Sequence, residues 1–322
     1  MFTGSTNELE EDAEMYTDSP KVTTDGGSRS RAAVAKPKPV KELAPPKEFE
    51  PFDRKSCLSK PLEFVKPLGT VYPSVDKVET IPLSGAYLMD SKSGCHGLAV
   101  VITNENFSGK SLGTRRGAGI DEENLKIVLR FLGYRVQIYR NVDSNGMSSI
   151  FKKVREFDHS PYDSFICCIL SHGTKDAVYA SNSIQVNIGD LTGELNGDKC
   201  HTLAGKPKLF FIQACRGDKL QKRVTVDGES LPNTSDFFFS FAVPLGYQAF
   251  LNSEKGSWYI TELCRALGEH AVHAPLIEIM HLVHQRVAKK CVKFRKGDKD
   301  ANAIAIQQPE LVYRLRKHVF FF

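Results

Sequence analysis

KLFFIQACRG (residues 208–217) is an apolar strand that runs straight into a cysteine, an arginine and a glycine. A second stretch, YDSFICCILSHG (162–173), has the same build and ends on a histidine and a glycine. Unbroken apolar runs of this length suit strands covered on both faces, and such strands belong to layered α/β domains with a mostly parallel sheet. Working outward, comparable runs occur at Gly97–Thr103, Tyr134–Tyr139 and Phe237–Ala242, beside Ser164–Ser171 and Lys208–Ala214. Amphipathic helices fit between and after them. One is capped by Asp121, presents Leu125, Val128, Leu129 and Leu132, and stops at Gly133. Others fit Met147–Phe157, Ser257–Leu267 (stopped by Gly268) and Pro275–Lys289.

In such sheets the chemistry gathers at the carboxyl ends of the strands. Two of those ends carry His172-Gly173 and Cys215-Arg216-Gly217. A cysteine protease needs a thiolate, a base to hold it and donors for the tetrahedral oxyanion. Cys215 and His172 can supply the first two, and the backbone N–H groups of Gly173 and Cys215 the third. The glycines permit tight turns and close approach of a substrate.

The rest of the chain narrows the class. No run approaches the length of a membrane span, and the first residues are acidic and polar, unlike a signal or transit peptide. A cytoplasmic protein is expected. Ten of the sixteen prolines precede residue 84, so residues 1–83 read as an extended, disordered arm. The net charge of +5 comes from scattered residues and points to no nucleic acid. Eight cysteines without a CxxC pair read as buried thiols, with adjacent Cys167 and Cys168 facing opposite sides of one strand. The pairs His270/His273 and His281/His284 have no cysteine at zinc spacing and read as polar surface residues, so no metal is expected.

QACRG (213–217) with a histidine upstream resembles the caspase signature. The resemblance extends through VITNENF (101–107), TRRGAGIDEENL (114–125), YDSFICCILSHG (162–173), GSWYITELC (256–264) and the ending QQPELVYRLRKHVFFF. These segments cover roughly residues 84–322 in the family's order. The resemblance implies a caspase-like α/β fold, a six-stranded, mostly parallel sheet with helices on both faces. It implies a prodomain over 1–83, short as in executioner types, a large subunit over 84–227 and a small subunit over 228–322. It further implies a His172–Cys215 dyad, protein substrates, no cofactor, and dimerisation through the last strand around Glu310–Arg316.

Caspases cleave after aspartate, and a buried carboxylate needs paired, hydrogen-bonded charge. By resemblance, Arg115 and Gln213 match the first arginine and the glutamine of that pocket. The second arginine belongs in the stretch Tyr247-Gln248-Ala249-Phe250-Leu251-Asn252, where Leu251 takes its place, Ala249 replaces a serine and Phe250 a tryptophan. Losing one partner of a buried charge costs roughly 3–5 kcal/mol, or about two to four orders of magnitude in catalytic efficiency on aspartyl substrates.

Three functions follow: an active apoptotic endopeptidase, a weak protease or decoy that regulates a paralogous caspase as a heterodimer, and a protease with a non-aspartyl preference. The retained Arg115 and Gln213 oppose the last. As expected of a zymogen, two VTxD-G sequences, ending at Asp25 and Asp227, offer maturation cuts.

Overall fold

In a computed structural model, residues 15–17, 61–64, 68–73, 85–87, 89, 94–109, 112–217, 235–293 and 304–322 are described. The chain begins with three short strands, β1 (Met15–Thr17), β2 (Leu62–Glu63) and β3 (Thr70–Val71). There follow β4 (Gly97–Thr103), α1 (Ala118–Phe131), β5 (Tyr134–Arg140), α2 (Ser144–Glu156) and β6 (Ser164–Leu170). Next come β7 (Ala177–Tyr179), β8 (Gln185–Asn187), α3 (Ile188–Gly193), β9 (Lys208–Gln213) and β10 (Phe237–Phe241). The last part holds β11 (Phe250–Asn252), β12 (Gly256–Ser257), α4 (Trp258–His270) and α5 (Leu276–Lys289). It closes with β13 (Cys291–Lys293), β14 (Ile304–Ile306) and β15 (Glu310–Tyr313).

The central sheet has six strands in the order β15-β10-β9-β6-β4-β5. Every pairing in it is parallel except β10–β15. This is the expected caspase-like α/β class. All residues of β4, β6, β9 and β10 are buried, as strands covered on both faces must be. Ala99, Val101, Ile166, Cys168 and Phe211 face a cluster with α1, α4 and α5. Leu98, Val100, Phe165, Cys167 and Phe210 face α2 and α3. Cys167 and Cys168 therefore do point to opposite faces. The cysteines of the described residues, Cys95, Cys167, Cys168, Cys200, Cys215, Cys264 and Cys291, are buried and outside any disulfide.

Four expectations are corrected. Asp121 does not cap α1. The helix starts earlier, after Gly117, whose φ of 95° is left-handed and whose Cβ would stand 2.2 Å from the Asn252 carbonyl oxygen. Asp121 lies in the first turn, fully buried, and has another task, described below. Gly268 does not stop α4, which continues to His270. A Cβ there would meet Leu62 Cδ1 at 3.0 Å and Val71 Cγ1 at 3.2 Å, so this glycine admits the β2–β3 hairpin. That hairpin, with Phe64, Leu68 and Val71 in the core, also lies inside the arm expected to lack structure. Strands of two residues have no period that a sequence pattern could reveal. α2 likewise begins at Ser144, three residues before Met147, because the Asp143 carboxylate accepts from the Gly146 N–H at 2.7 Å.

Among the described residues no helix is long and apolar enough to cross a membrane.

Candidate active site

The sheet register brings the two chemically marked strand ends together. Leu170 of β6 stands opposite Gln213 of β9, and the Ser171 N–H donates to the Gln213 carbonyl at 3.1 Å. His172 and Cys215 each follow that rung by two residues, so both leave the sheet at the same edge. Cys215 is fully buried, and 4% of His172 is exposed. Gly173 is the hinge between them, because a Cβ at this position would stand 2.5 Å from the Cys215 carbonyl oxygen and 2.8 Å from Ala214 Cβ. No side chain fits there without moving the cysteine's backbone.

His172 is held on two sides. Its Nε2 lies 2.7 Å from the Gly113 carbonyl oxygen, and Phe107 lies against the ring with centroids 4.8 Å apart. A carbonyl only accepts, so Nε2 carries the proton in the neutral ring and Nδ1 is the basic atom. Next to β6, the chain leaving β4 is secured by Asn104, whose N–H donates to the Leu170 carbonyl and whose side chain joins Val142 N and Tyr179 O. Arg115 lies in the same loop. It is 1% exposed, its N–H donates to the Glu105 carbonyl, and its guanidinium reaches the Asn104 carbonyl at 3.4 Å.

The facing wall comes from β11 and the residue before it. The Ala249 N–H donates to Cys215 Sγ at 3.2 Å. The Phe250 N–H donates to Gln307 Oε1 at 2.9 Å, while Gln307 Nε2 donates to the Ala242 carbonyl at 2.9 Å. The Phe250 ring lies against Trp258, with centroids 4.8 Å apart. Leu251 is buried and pairs with Ser257 of β12. The hairpin is tied to α1 by Asp121, whose Oδ1 accepts the Ser257 N–H at 2.9 Å. Behind the turn that follows β9, the Arg216 guanidinium lies 3.9 Å from the Phe241 ring centroid and forms an ion pair with Glu310 of β15.

Of the residues singled out from sequence, His172, Gly173, Gln213 and Cys215 meet at the ends of β6 and β9. Arg115 lies on the loop after β4, beside β6, and Phe250 and Leu251 lie on the strand that begins next to Cys215. Asp25 and Asp227 lie outside the described residues. Sequence reasoning missed Gly113, Phe107, Gln307 and the Asp121 tether. It also gave no task to Arg216, although the QACRG motif contains it. The histidines considered for zinc pair differently: His270 Nδ1 lies 3.3 Å from His273 Nε2, and His284 Nδ1 meets Gln308 Nε2 at 3.2 Å.

The family profile of the Caspase domain matches residues 96–320. Caspase-3 of Xenopus laevis is 33% identical over 234 residues, covering 70% of this chain and 80% of its own length. Caspase-3 of Oryctolagus cuniculus is 32% identical over 269 residues, covering 77% and 96%. Caspase-6 of Gallus gallus is 34% identical over 275 residues, covering 78% and 88%.

Proposed function

The chain belongs to the caspase family, and from that premise we propose that it is a weak cysteine endopeptidase of the apoptotic pathway that regulates a paralogous caspase. In this reading Cys215 is the nucleophile and His172 its base. The thiolate attacks the scissile carbonyl, the C–N bond breaks, and His172 returns the proton to the leaving amine; water then hydrolyses the thioester. The N–H groups of Gly173 and Cys215 stabilise the oxyanion. Arg115 and Gln213 receive the aspartate carboxylate.

One observation carries the reading of weakness. Leu251, at the position where the family pattern has an arginine, sits on β11, the strand that begins beside Cys215. An apolar side chain there offers the carboxylate neither charge nor hydrogen bond, which leaves Arg115 as the guanidinium for a group that normally takes two. The assembled dyad wall favours one alternative, a fully active endopeptidase cleaving after Asp.

Turnover of a panel of tetrapeptides by the processed protein, with Cys215→Ala as the blank, tests this. The double variant Ala249→Ser/Leu251→Arg is expected to raise cleavage after aspartate by at least about tenfold, since it restores a charged partner. Wild-type turnover equal to that of a competent executioner caspase would overturn the reading in favour of full activity.

The partner is proposed to pair along β15, the outer strand of the sheet and an edge open to strand addition. The cuts after Asp25 and Asp227, the subunit boundary near residue 227 and a cytoplasmic location complete the proposal. Coexpression with paralogous caspases followed by pull-down and rate measurement checks the partnership. A copurifying caspase whose rate changes supports it, and no copurification with unchanged rates refutes it.

A further inference from the structure

The N-terminal arm contributes a strand to the site. β1 pairs antiparallel with β11, with Met15 opposite Asn252, Tyr16 opposite Leu251 and Thr17 opposite Phe250. These partners include Phe250 and Leu251, which stand where the family resemblance places the substrate-facing tryptophan and arginine. The small sheet has the order β1-β11-β12, so β1 takes the edge of β11 that β12 leaves.

The hydrogen-bond parity identifies that edge. Residues opposite each other in an antiparallel pair alternate between exchanging both backbone hydrogen bonds and exchanging none. The Phe250 N–H is already given to Gln307, so Thr17–Phe250 is the non-exchanging kind and Tyr16–Leu251 the exchanging kind. N–H groups also alternate between the two edges of a strand. The Leu251 N–H therefore points the same way as that of Ala249, which donates to Cys215 Sγ. β1 thus runs along the edge that faces the nucleophile. An extended peptide substrate uses the same resource, since strand addition draws its affinity from the free N–H and C=O groups of a sheet edge.

We propose that Met15–Thr17 is a built-in occupant of the substrate strand's place, so that the arm competes in cis with any peptide entering the site. The proposal rests on the reading of this cleft as a peptide-cleaving site. The arm's own sequence suits the role. Met15-Tyr16-Thr17 is followed by Asp18, so the segment carries the aspartate that the family cleaves after. Occupancy does not need strong contacts, because a tethered strand acts at an effective concentration near the millimolar range. A segment that binds at roughly 100 µM on its own would then weaken a competing peptide by about tenfold.

Amide hydrogen exchange on the Cys215→Ala chain tests this without turnover. Deleting residues 1–20 is expected to speed exchange of the Leu251 amide by at least about tenfold, while the amides of β9 stay protected. Tyr16→Pro in the full-length chain removes the one N–H that β1 gives to Leu251 and is expected to do the same. A labelled peptide of residues 14–18 should bind the shortened chain about tenfold tighter than the full-length one and restore protection at Leu251. Unchanged exchange at Leu251 in both variants would overturn the proposal. Equal peptide binding by the two chains would overturn the competition. A chain inactive towards every tetrapeptide would refute the proposed catalysis and leave these readouts intact, so the two failures are distinguishable.

Discussion

The two walls that meet at Cys215 are made differently. The wall of His172, Gly173, Gln213 and Cys215 continues two central strands, and its register is fixed by the parallel pairing of β6 with β9. The opposite wall, from Ala249 to Asn252, belongs to a small separate sheet. It hangs on single side chains from distant parts of the chain, Asp121 on Ser257 and Gln307 on Phe250. A wall set by strand pairing cannot change without changing the sheet. One suspended from a few side chains can take new residues while the fold persists. The departures on which the proposed function rests, Ala249, Phe250 and Leu251, all fall on the suspended wall, and Arg115 and Gln213 lie outside it.

The sharpest way to break this comparison is to disturb the wall that strand pairing is said to fix. Gly173→Ala should lower kcat by more than about 100-fold on any peptide the chain cleaves. Its Cβ would collide with backbone at 2.5 Å and displace an N–H that the proposed function uses as an oxyanion donor, and losing such a donor costs about that much. A steady-state assay with an intact far-ultraviolet spectrum checks it. Full activity would mean that this wall gives way as readily as the other.

The suspended wall should respond more softly. Asp121→Asn keeps the shape of the tether but removes the charge from its hydrogen bond to Ser257. The expected loss is about 1–2 kcal/mol, with KM for peptides raised by a few-fold, up to about tenfold, and kcat little changed. Denaturant melting and steady-state kinetics read the two parts separately. A fall in kcat alone would show that Asp121 acts on the dyad rather than on the hairpin.

The smallest effect concerns the frame that leads into β6. Burial lowers the pKa of His159 to about 4, and its Nε2 donates to the Val154 carbonyl at 2.8 Å. The folded state thus keeps this ring neutral where the unfolded chain, with a value near 6.5, already takes up a proton. The stability this contributes is complete above about pH 6.5 and is lost as pH falls from there towards 4. Between pH 7 and pH 5 the loss should be about 2 kcal/mol. In His159→Gln the slope of stability against pH over this window should be shallower. An unchanged slope would assign the acid sensitivity to another group, His284 first, since burial lowers its pKa to about 4 as well.

The same contrast explains what the sequence made legible. β4, β6, β9 and β10 could be read from their apolar runs, and with parallel pairing those runs placed His172 and Cys215 at a common edge. The partners of Arg115 and Gln213 in an aspartate pocket could be named only through resemblance, because nothing in their spacing states what they bind. The suspended wall was largely illegible. β11 has three residues and β12 two, too few for any period, and Gln307 reaches Phe250 across more than fifty positions of chain. Asp121 was misread because an aspartate before an apolar run is a sound helix-start signal. The glycine ahead of it, closely approached by the Asn252 carbonyl, had already started the turn. β1 escaped for a similar reason, since three residues in a proline-rich arm carry no alternation.

Arg216 gives the molecule a mechanical property. It follows Cys215 in the chain, and its guanidinium is clasped between the Phe241 ring and Glu310 on the outermost strand. The turn that aims Cys215 is therefore anchored to the rim of the sheet by one side chain. A displacement of β15 would act on the residue next to Cys215 through this ion pair, against the backbone bonds that hold Arg216 to Tyr247 and Gly246.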